Sequence, residues 1–540
     1  MTTRRPSIFE GAGGRWVIDP TQARGVALVL ALAHALAAWL MRTPGLGWGE
    51  DDAGYLLLAQ ELRHFSYREI QDVLAPMHAR FPPVFPLLLS LVGAPFGDRL
   101  DVLLAFVALC SAAGILFFFE AARRFVGDEL ALLVSALYAL NPDTLWDAQN
   151  LMAEAPFKLF AMMALWALSR ERDGVRFAVI AAGATILAAL TRTAGVVFVA
   201  ALFAYWVLSR RYRWAFVYAA AATVFVGGWI GFAFTAPNPD DHRLYVADLG
   251  LRGRDAPEGV LHAMVTRLVP RMRRFTVIFP WVLSLPTVAG TIIDNVLWLA
   301  ALLVFGITGF AVLVRRWMAA ALWLASYVIL LIAWRYALER FVSPIVPLLY
   351  LVLLAGCAWW GVRRFPSQGR LVTYALALLL AVGTYPRDAK RARLMAACDR
   401  AHPEASPTCW PADHREYLQL AHWVRDSVPP DAIMLVSKER AFYVHSGHKS
   451  INQNRALEED ARSLAPYLRS RDVRYTAVSP IGVRAREHAG LIAESCRDFA
   501  LVRRFSQQTL LLRLRAADEA PVDDGTCAAL RAAVPPPDDR

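Results

Sequence analysis

The chain has 540 residues, of which 57% are hydrophobic and only 19% charged. That composition excludes a disordered chain and an ordinary soluble globular protein, and it points to a polytopic membrane protein. The net charge of +11 would ordinarily suggest nucleic acid, but only four basic residues are Lys and the Arg are spread over loops. No nucleic-acid surface is therefore expected, and membrane lipid is the expected surroundings.

Arg4, Arg5, Arg15 and Arg24 precede an apolar run at 25–41 that is long enough to cross a bilayer. No small-residue cleavage site follows, so the run reads as a retained first helix. The charge asymmetry places residues 1–24 in the cytoplasm and the next loop outside. That loop, 42–98, opens with the carboxylates Glu50, Asp51 and Asp52, followed by a short interfacial helix over Tyr55–Leu62. The segment Phe81-Pro82-Pro83-Val84-Phe85-Pro86 is apolar, but three Pro break a spanning helix, so it reads as interfacial or re-entrant.

Apolar runs then recur near 100–120, 129–146, 156–169, 177–191, 195–209, 214–234, 290–314, 317–334, 341–361 and 370–386. With the first helix they predict about eleven spans, a membrane domain over 25–386 and a second long outer loop at 235–289. From 387 to 532 the pattern becomes that of a small soluble α/β domain. A helix is expected around Leu418–Arg425, with strands at Asp431–Ser437, Val473–Ser479 and Thr509–Leu514. The Pro-rich 533–540 reads as a disordered tail. Cys398, Cys409, Cys496 and Cys527 are confined to this region, which suits an oxidising compartment, and Cys398–Cys409 and Cys496–Cys527 are the expected pairs.

Several motifs, in order, resemble the C-type (GT-C) membrane glycosyltransferases, which include protein O-mannosyltransferases and lipid A aminoarabinose transferases. Asp51-Asp52-Ala53-Gly54-Tyr55 is similar to their Asp-Glu-Ala-x-Tyr motif, with Asp52 where Glu is commoner. Phe81-Pro82-Pro83-Val84-Phe85-Pro86-Leu87 resembles their Pro-Pro-Leu-Tyr-Pro-Leu segment, and Ala153-Glu154-Ala155-Pro156-Phe157 their second acidic motif. Leu190-Thr191-Arg192 and Arg340-Phe341-Val342-Ser343-Pro344 fit a Thr-Arg hairpin and an Arg-Tyr-x-x-Pro segment, with Phe341 in place of Tyr. Gly447 after Tyr443 resembles a turn of the outer domain.

The resemblance implies inverting transfer of a sugar from a polyprenyl-phosphate donor to an envelope lipid, polysaccharide or protein. The setting it implies is the outer face of a bacterial inner membrane, with the C-terminal domain in the periplasm. A single displacement needs one base to take the acceptor proton, and Asp51 is the candidate. Asp52 would orient it and Glu154 would hold acceptor or sugar hydroxyls. Arg80, with Arg192, Arg340 and His78, would meet the donor phosphate, because a planar guanidinium can donate two bonds. Asp51, Asp52 and His78 are also the candidate ligands for a divalent metal ion. No nucleotide-binding glycine pattern is present. Two other classes stay open from sequence: a transporter or flippase of lipid-linked sugar, and an inactive scaffold that binds polyprenyl phosphate.

Overall fold

The structure is a computed structural model that describes residues 18–47, 49, 51–236, 260–285, 292–334, 338–457, 459, 462–482, 484–519 and 525–535. In chain order its helices begin with α1 (Pro20–Leu40), α2 (Asp51–Leu62), α3 (Val84–Gly93), α4 (Leu100–Val126), α5 (Asp128–Leu140), α6 (Pro142–Gln149) and α7 (Glu154–Ser169). Then follow α8 (Val175–Thr191), α9 (Val196–Leu208), α10 (Tyr212–Ala222) and α11 (Gly228–Thr235), the last two joined by a π-helical turn. Next come α12 (Val260–Val282), α13 (Ile292–Arg316), α14 (Met318–Ala333), α15 (Glu339–Val342), α16 (Val346–Arg364) and α17 (Gly369–Ala396).

The chain divides into two compact units. One holds the chain up to Arg42 together with Ala79–Ala392, and the other holds Thr43–His78 together with Arg393 onward. The first loop, up to His78, thus belongs with the C-terminal polar part and not with the helices that flank it in sequence. The division at Arg393 also lies later than the composition change at 387, because α17 continues without a break to Ala396.

Among the described residues the helical unit has six helices long and apolar enough to cross a membrane, or seven if the bent α6–α7 pair is one span. This is a multi-pass α-helical membrane protein, although fewer helices meet the length criterion than the eleven apolar runs expected. Three of those runs are the shorter apolar helices Val175–Thr191, Thr193–Leu208 and Met318–Ala333. The Pro-rich segment becomes helical directly after Pro83, as a short apolar helix over Val84–Phe96.

The run at 129–146 is not one helix. Asn141 ends α5, and its Oδ1 accepts the N–H groups of Asp143 and Thr144 to cap α6, with Pro142 at the first position. Its Nδ2 donates to the Val282 carbonyl and the Tyr350 hydroxyl. An Asn-Pro pair is a strong helix start, because the side chain satisfies orphan N–H groups and Pro lacks the one that would clash. The loop expected at 235–289 contains the helix α12, while 237–259 and 286–291 lie outside the described residues.

The core of the helical unit is aromatic where α7, α9 and α14 meet. Phe198 stacks on Phe157 at 5.5 Å, on Trp323 at 5.1 Å and on Tyr327 at 5.4 Å. Elsewhere small residues bring backbones together. A Cβ at Gly309 would overlap the Val352 carbonyl, and one at Gly356 would overlap that of Phe305, so α13 and α16 cross at the closest approach two helices allow.

In the second unit, α18 (Ala412–Ser427), α19 (Glu439–Ser446), α20 (Gln453–Ala456), α21 (Leu464–Arg469), α22 (Ala485–Glu494) and α23 (Thr526–Ala533) pack about a five-stranded sheet. Its strands are β1 (Ile433–Val436), β2 (Ser450–Asn452), β3 (Val473–Val478), β4 (Phe499–Arg504) and β5 (Leu510–Leu514). The order is β2-β1-β3-β5-β4, with β1 parallel to both β2 and β3, and β5 antiparallel to β3 and β4. The three expected strands are β1, β3 and β5, and the apolar runs that foretold them supply the buried centre. β4 was not anticipated because four of its six residues are exposed, and β2 because it is three residues long.

Residues of the first loop extend this sheet beside β2, where the Ser450 N–H donates to the Gln71 carbonyl. Cys398 is bonded to Cys409 and Cys496 to Cys527. In the chain-entropy account each bridge contributes about 3 kcal/mol by restricting the unfolded chain. The tail is helical through Ala533, and 536–540 lie outside the described residues.

Candidate active site

In the second unit Asp51 and Asp52 open α2, where the helix dipole favours negative charge. The two are treated differently. Asp52 is buried, its Oδ2 accepting the Gly47 N–H at 2.9 Å and its Oδ1 the Ala53 N–H at 2.8 Å. Burial pushes its carboxyl above the usual carboxylate range, against the pull of those two N–H groups. Asp51 is only half-buried. Glu50 and Trp48 lie outside the described residues.

The loop before α2 is held by the C-terminal part of the same unit. Lys438 donates to the Gly47 carbonyl at 3.3 Å, and His445 Nε2 donates to that of Leu46 at 3.0 Å. Gly47, at φ +106°, takes a conformation that side chains disfavour, and this lets its N–H reach Asp52. Gly447, at φ +74°, ends α19 with its N–H on the Tyr443 carbonyl, the turn that the resemblance singled out.

His78 is fully buried and its Nδ1 meets Glu69 Oε1 at 2.7 Å. Glu69 also accepts from Arg440 at 3.2 Å and from Gln71 at 3.0 Å. His78 is therefore held through Nδ1 by a buried carboxylate. Among the described residues no group of three or more His, Cys, Asp or Glu converges as metal ligands. Asp51, Asp52 and His78 are thus not gathered into one such group among the described residues.

Three histidines of this unit are held neutral by burial: His445, His422 and His488, the last lowered to about 4. A depressed folded-state pKa leaves stability intact above the unfolded value near 6.5 and removes it as pH falls toward the folded value. The unit should therefore lose stability between about pH 6.5 and 4. Peptide-resolved hydrogen exchange at pH 7 and pH 4.5 reads this, and His488→Gln should flatten the loss in the peptides of α22. Unchanged exchange across that range would contradict it.

In the helical unit Glu154 is the first residue of α7 and is 1% exposed. Arg192, directly after α8, forms an ion pair with its Oε1. Its Oε2 is buried with no hydrogen-bond partner among the described residues, so a carboxylate oxygen is left to meet a ligand. One turn further along α7, Lys158 Nζ reaches Asp147 Oδ2 at 2.8 Å and Ser343 Oγ at 3.1 Å, with all three side chains buried.

Asp147 also borders a cavity of about 470 Å³, into which Arg340, Arg387 and Arg391 project with Asp143, Trp146 and Trp281. Arg387 forks onto Asp143, at 2.7 Å for the shorter bond, and lies 4.5 Å over Trp281. Arg391 lies 4.8 Å over Trp146. With Glu339 and Asp388 also in its lining, the cavity interleaves three guanidinium groups and four carboxylates between two indole faces, which suits a polyhydroxylated ligand.

Of the expected phosphate ligands, Arg340 thus borders the cavity, Arg192 is committed to Glu154, and Arg80 is half-buried with its guanidinium 6.0 Å over Phe81. Sequence reading missed Asp147, Asp143, Arg387 and Arg391. An Asp inside the nominal span at 129–146 was the available signal for Asp143, since such residues are functional by default.

Comparison with solved structures finds a similar fold in known proteins. ArnT of Cupriavidus metallidurans, in a crystal structure with undecaprenyl phosphate, aligns over 91% of this chain and 98% of its own, at TM-score 0.56 and 14% identity. The chain has the GT-C fold. A second GT-C protein, the oligosaccharyltransferase of Archaeoglobus fulgidus crystallised with Zn and sulfate, aligns over 87% of this chain and 71% of its own. Its TM-score is 0.55 at 14% identity. The same organism's AglB, with an inhibitory peptide and a dolichol-phosphate, aligns over 94% and 77% at TM-score 0.51 and 13% identity. Residues 80–238 match the dolichyl-phosphate-mannose-protein mannosyltransferase family, a stretch that runs from Arg80 through α11 and includes Glu154 and Arg192. No curated protein matches this chain.

Proposed function

We propose that the protein is an inverting glycosyltransferase that takes a sugar from a polyprenyl-phosphate donor at the outer face of a bacterial inner membrane. The observation that carries this reading is the alignment of nearly the whole chain with ArnT, whose structure holds undecaprenyl phosphate. The acceptor is an envelope lipid, polysaccharide or protein bearing a nucleophilic oxygen.

In the transfer, the acceptor oxygen attacks the anomeric carbon as the bond from that carbon to the phosphate oxygen breaks. The polyprenyl phosphate leaves with the electron pair, and the acceptor proton passes to Asp51. Asp52, fastened to Gly47 and Ala53, holds the start of α2 in register. The Glu154 Oε2 is available to accept from a sugar or acceptor hydroxyl. The leaving phosphate needs positive charge more than a proton, and Arg80 and Arg340 are the proposed sources.

Incubating the purified protein with a labelled polyprenyl-phosphate sugar and extracted envelope material, followed by mass spectrometry of the glycans, tests the reading. Label reaching a glycan with inverted anomeric configuration supports it. Label that stays on the lipid and only changes membrane side would support a flippase.

Arg80 has its own test. Arg80→Ala should raise the apparent donor KM by roughly tenfold or more, the loss of a charge-assisted bond. Arg80→Lys should recover only part, because the charge returns without the fork. Unchanged donor KM in both variants would make Arg80 an interfacial anchor.

A further inference from the structure

In the second unit two imidazole rings meet edge to face, away from the residues assigned to transfer. His422 lies on α18 and His445 in the last turn of α19. Their planes cross at 60° with centroids 5.4 Å apart, and His422 Nε2 is 3.4 Å from His445 Nδ1. Both side chains are half-buried, so solvent and small ions reach them.

The tautomer of His445 is set by its other nitrogen. Nε2 lies 3.0 Å from the Leu46 carbonyl, which can only accept, so Nε2 carries the proton. Burial keeps both rings neutral, and Nδ1 of His445 therefore presents a lone pair toward His422. Neutral imidazole is also the form that ligates a metal.

The 3.4 Å separation is longer than the roughly 2.7–3.2 Å usual for an N–H donor. It matches a different arrangement. Two imidazole nitrogens held about 2.0–2.1 Å from one tetrahedral Zn²⁺ are roughly 3.3–3.4 Å apart. The bond from His445 Nε2 to a backbone carbonyl is the outer contact that metal-bound histidines usually make.

The surroundings allow a cation. His445 is near the C-terminus of its helix, where the dipole favours positive charge. Arg425 acts on both rings but bonds Asp426 at 2.9 Å, and the Glu404 carboxylate also acts on both. His448 is committed elsewhere, its two nitrogens meeting the Ser446 and Pro429 carbonyls. Among the described residues no third His, Cys, Asp or Glu completes a group, so the remaining positions on the ion fall to water.

We propose that His422 Nε2 and His445 Nδ1 form a two-histidine site for a divalent transition-metal ion, Zn²⁺ or one of similar preference for imidazole. The ion would join α18 to α19 and, through the Leu46 carbonyl, to the loop that leads into Asp51. The site takes no part in the transfer chemistry and stands whether or not that reading holds.

Isothermal titration of Zn²⁺ into the untagged full-length protein in detergent, stripped of metal beforehand, tests it. Zn²⁺ should bind and raise the melting temperature, and Mg²⁺, which prefers oxygen ligands, should do neither. Cu²⁺ in place of Zn²⁺ should give an electron paramagnetic resonance spectrum with coupling to two imidazole nitrogens. His422→Gln should weaken Zn²⁺ binding at least about tenfold, since even an outer-shell partner is usually worth about 10–100-fold, and should remove one of the two couplings.

Should that variant not fold, the Cu²⁺ spectrum of the parent protein decides. Undiminished Zn²⁺ affinity in folded His422→Gln would overturn the proposal. So would a parent spectrum with fewer than two coupled nitrogens, or Mg²⁺ bound as tightly as Zn²⁺.

Discussion

Replacing Asp51 by Asn should lower sugar transfer by about 10²–10⁴-fold, the usual worth of a general base, while protein level and donor binding persist. The substitution keeps the shape of the side chain and removes its capacity to take the acceptor proton. The neighbouring carboxylate should behave differently. Asp52 is buried and gives one oxygen to each of two backbone N–H groups. Asp52→Asn leaves one oxygen for both, so it should lower the melting temperature first and the rate second. Glu50→Gln, outside the motif, should be nearly silent. Full transfer by Asp51→Asn with abolition by a folded Asp52→Asn would move the base by one position. Activity in all three variants and in the triple variant would take the base out of this loop.

Lys158→Met should cost about 3–5 kcal/mol, because it leaves the Asp147 carboxylate buried without its cation. Against a typical total of about 5–15 kcal/mol, that is enough to lower yield and melting temperature clearly. The double variant Asp147→Asn/Lys158→Met removes both charges and should recover much of the loss. Melting in mild detergent, followed by intrinsic fluorescence, reads both. A single variant as stable as the parent would show that the pair contributes nothing. A double variant that folds yet transfers no sugar would assign Asp147 to the site whose cavity it borders.

The sequence alone determined the class of the protein and the kind of elements it is built from. Apolar runs report burial in lipid or in a core whatever the topology, so the helical membrane unit and the strands β1, β3 and β5 were legible. The ordered motifs, from Asp51 through Arg340, were enough to point to the GT-C fold. The four Cys of the polar part, Cys398, Cys409, Cys496 and Cys527, lie in one stretch of chain, which made their pairing guessable.

Contacts between residues far apart in the chain were decided only by the tertiary structure. The break at Asn141 depends on carbonyl and hydroxyl partners at Val282 and Tyr350. That His78 pairs with Glu69, and Glu69 in turn with Arg440, could not be read from the chain. Asp51 and Asp52 are identical by composition, and only burial and the Gly47 N–H distinguish them. The first loop joins the C-terminal unit because Lys438 and His445, almost 400 residues later, bond its backbone. Periodicity carries local burial, but the choice of partner for a buried charge is made by the packed chain, where an unpaired one costs several kcal/mol.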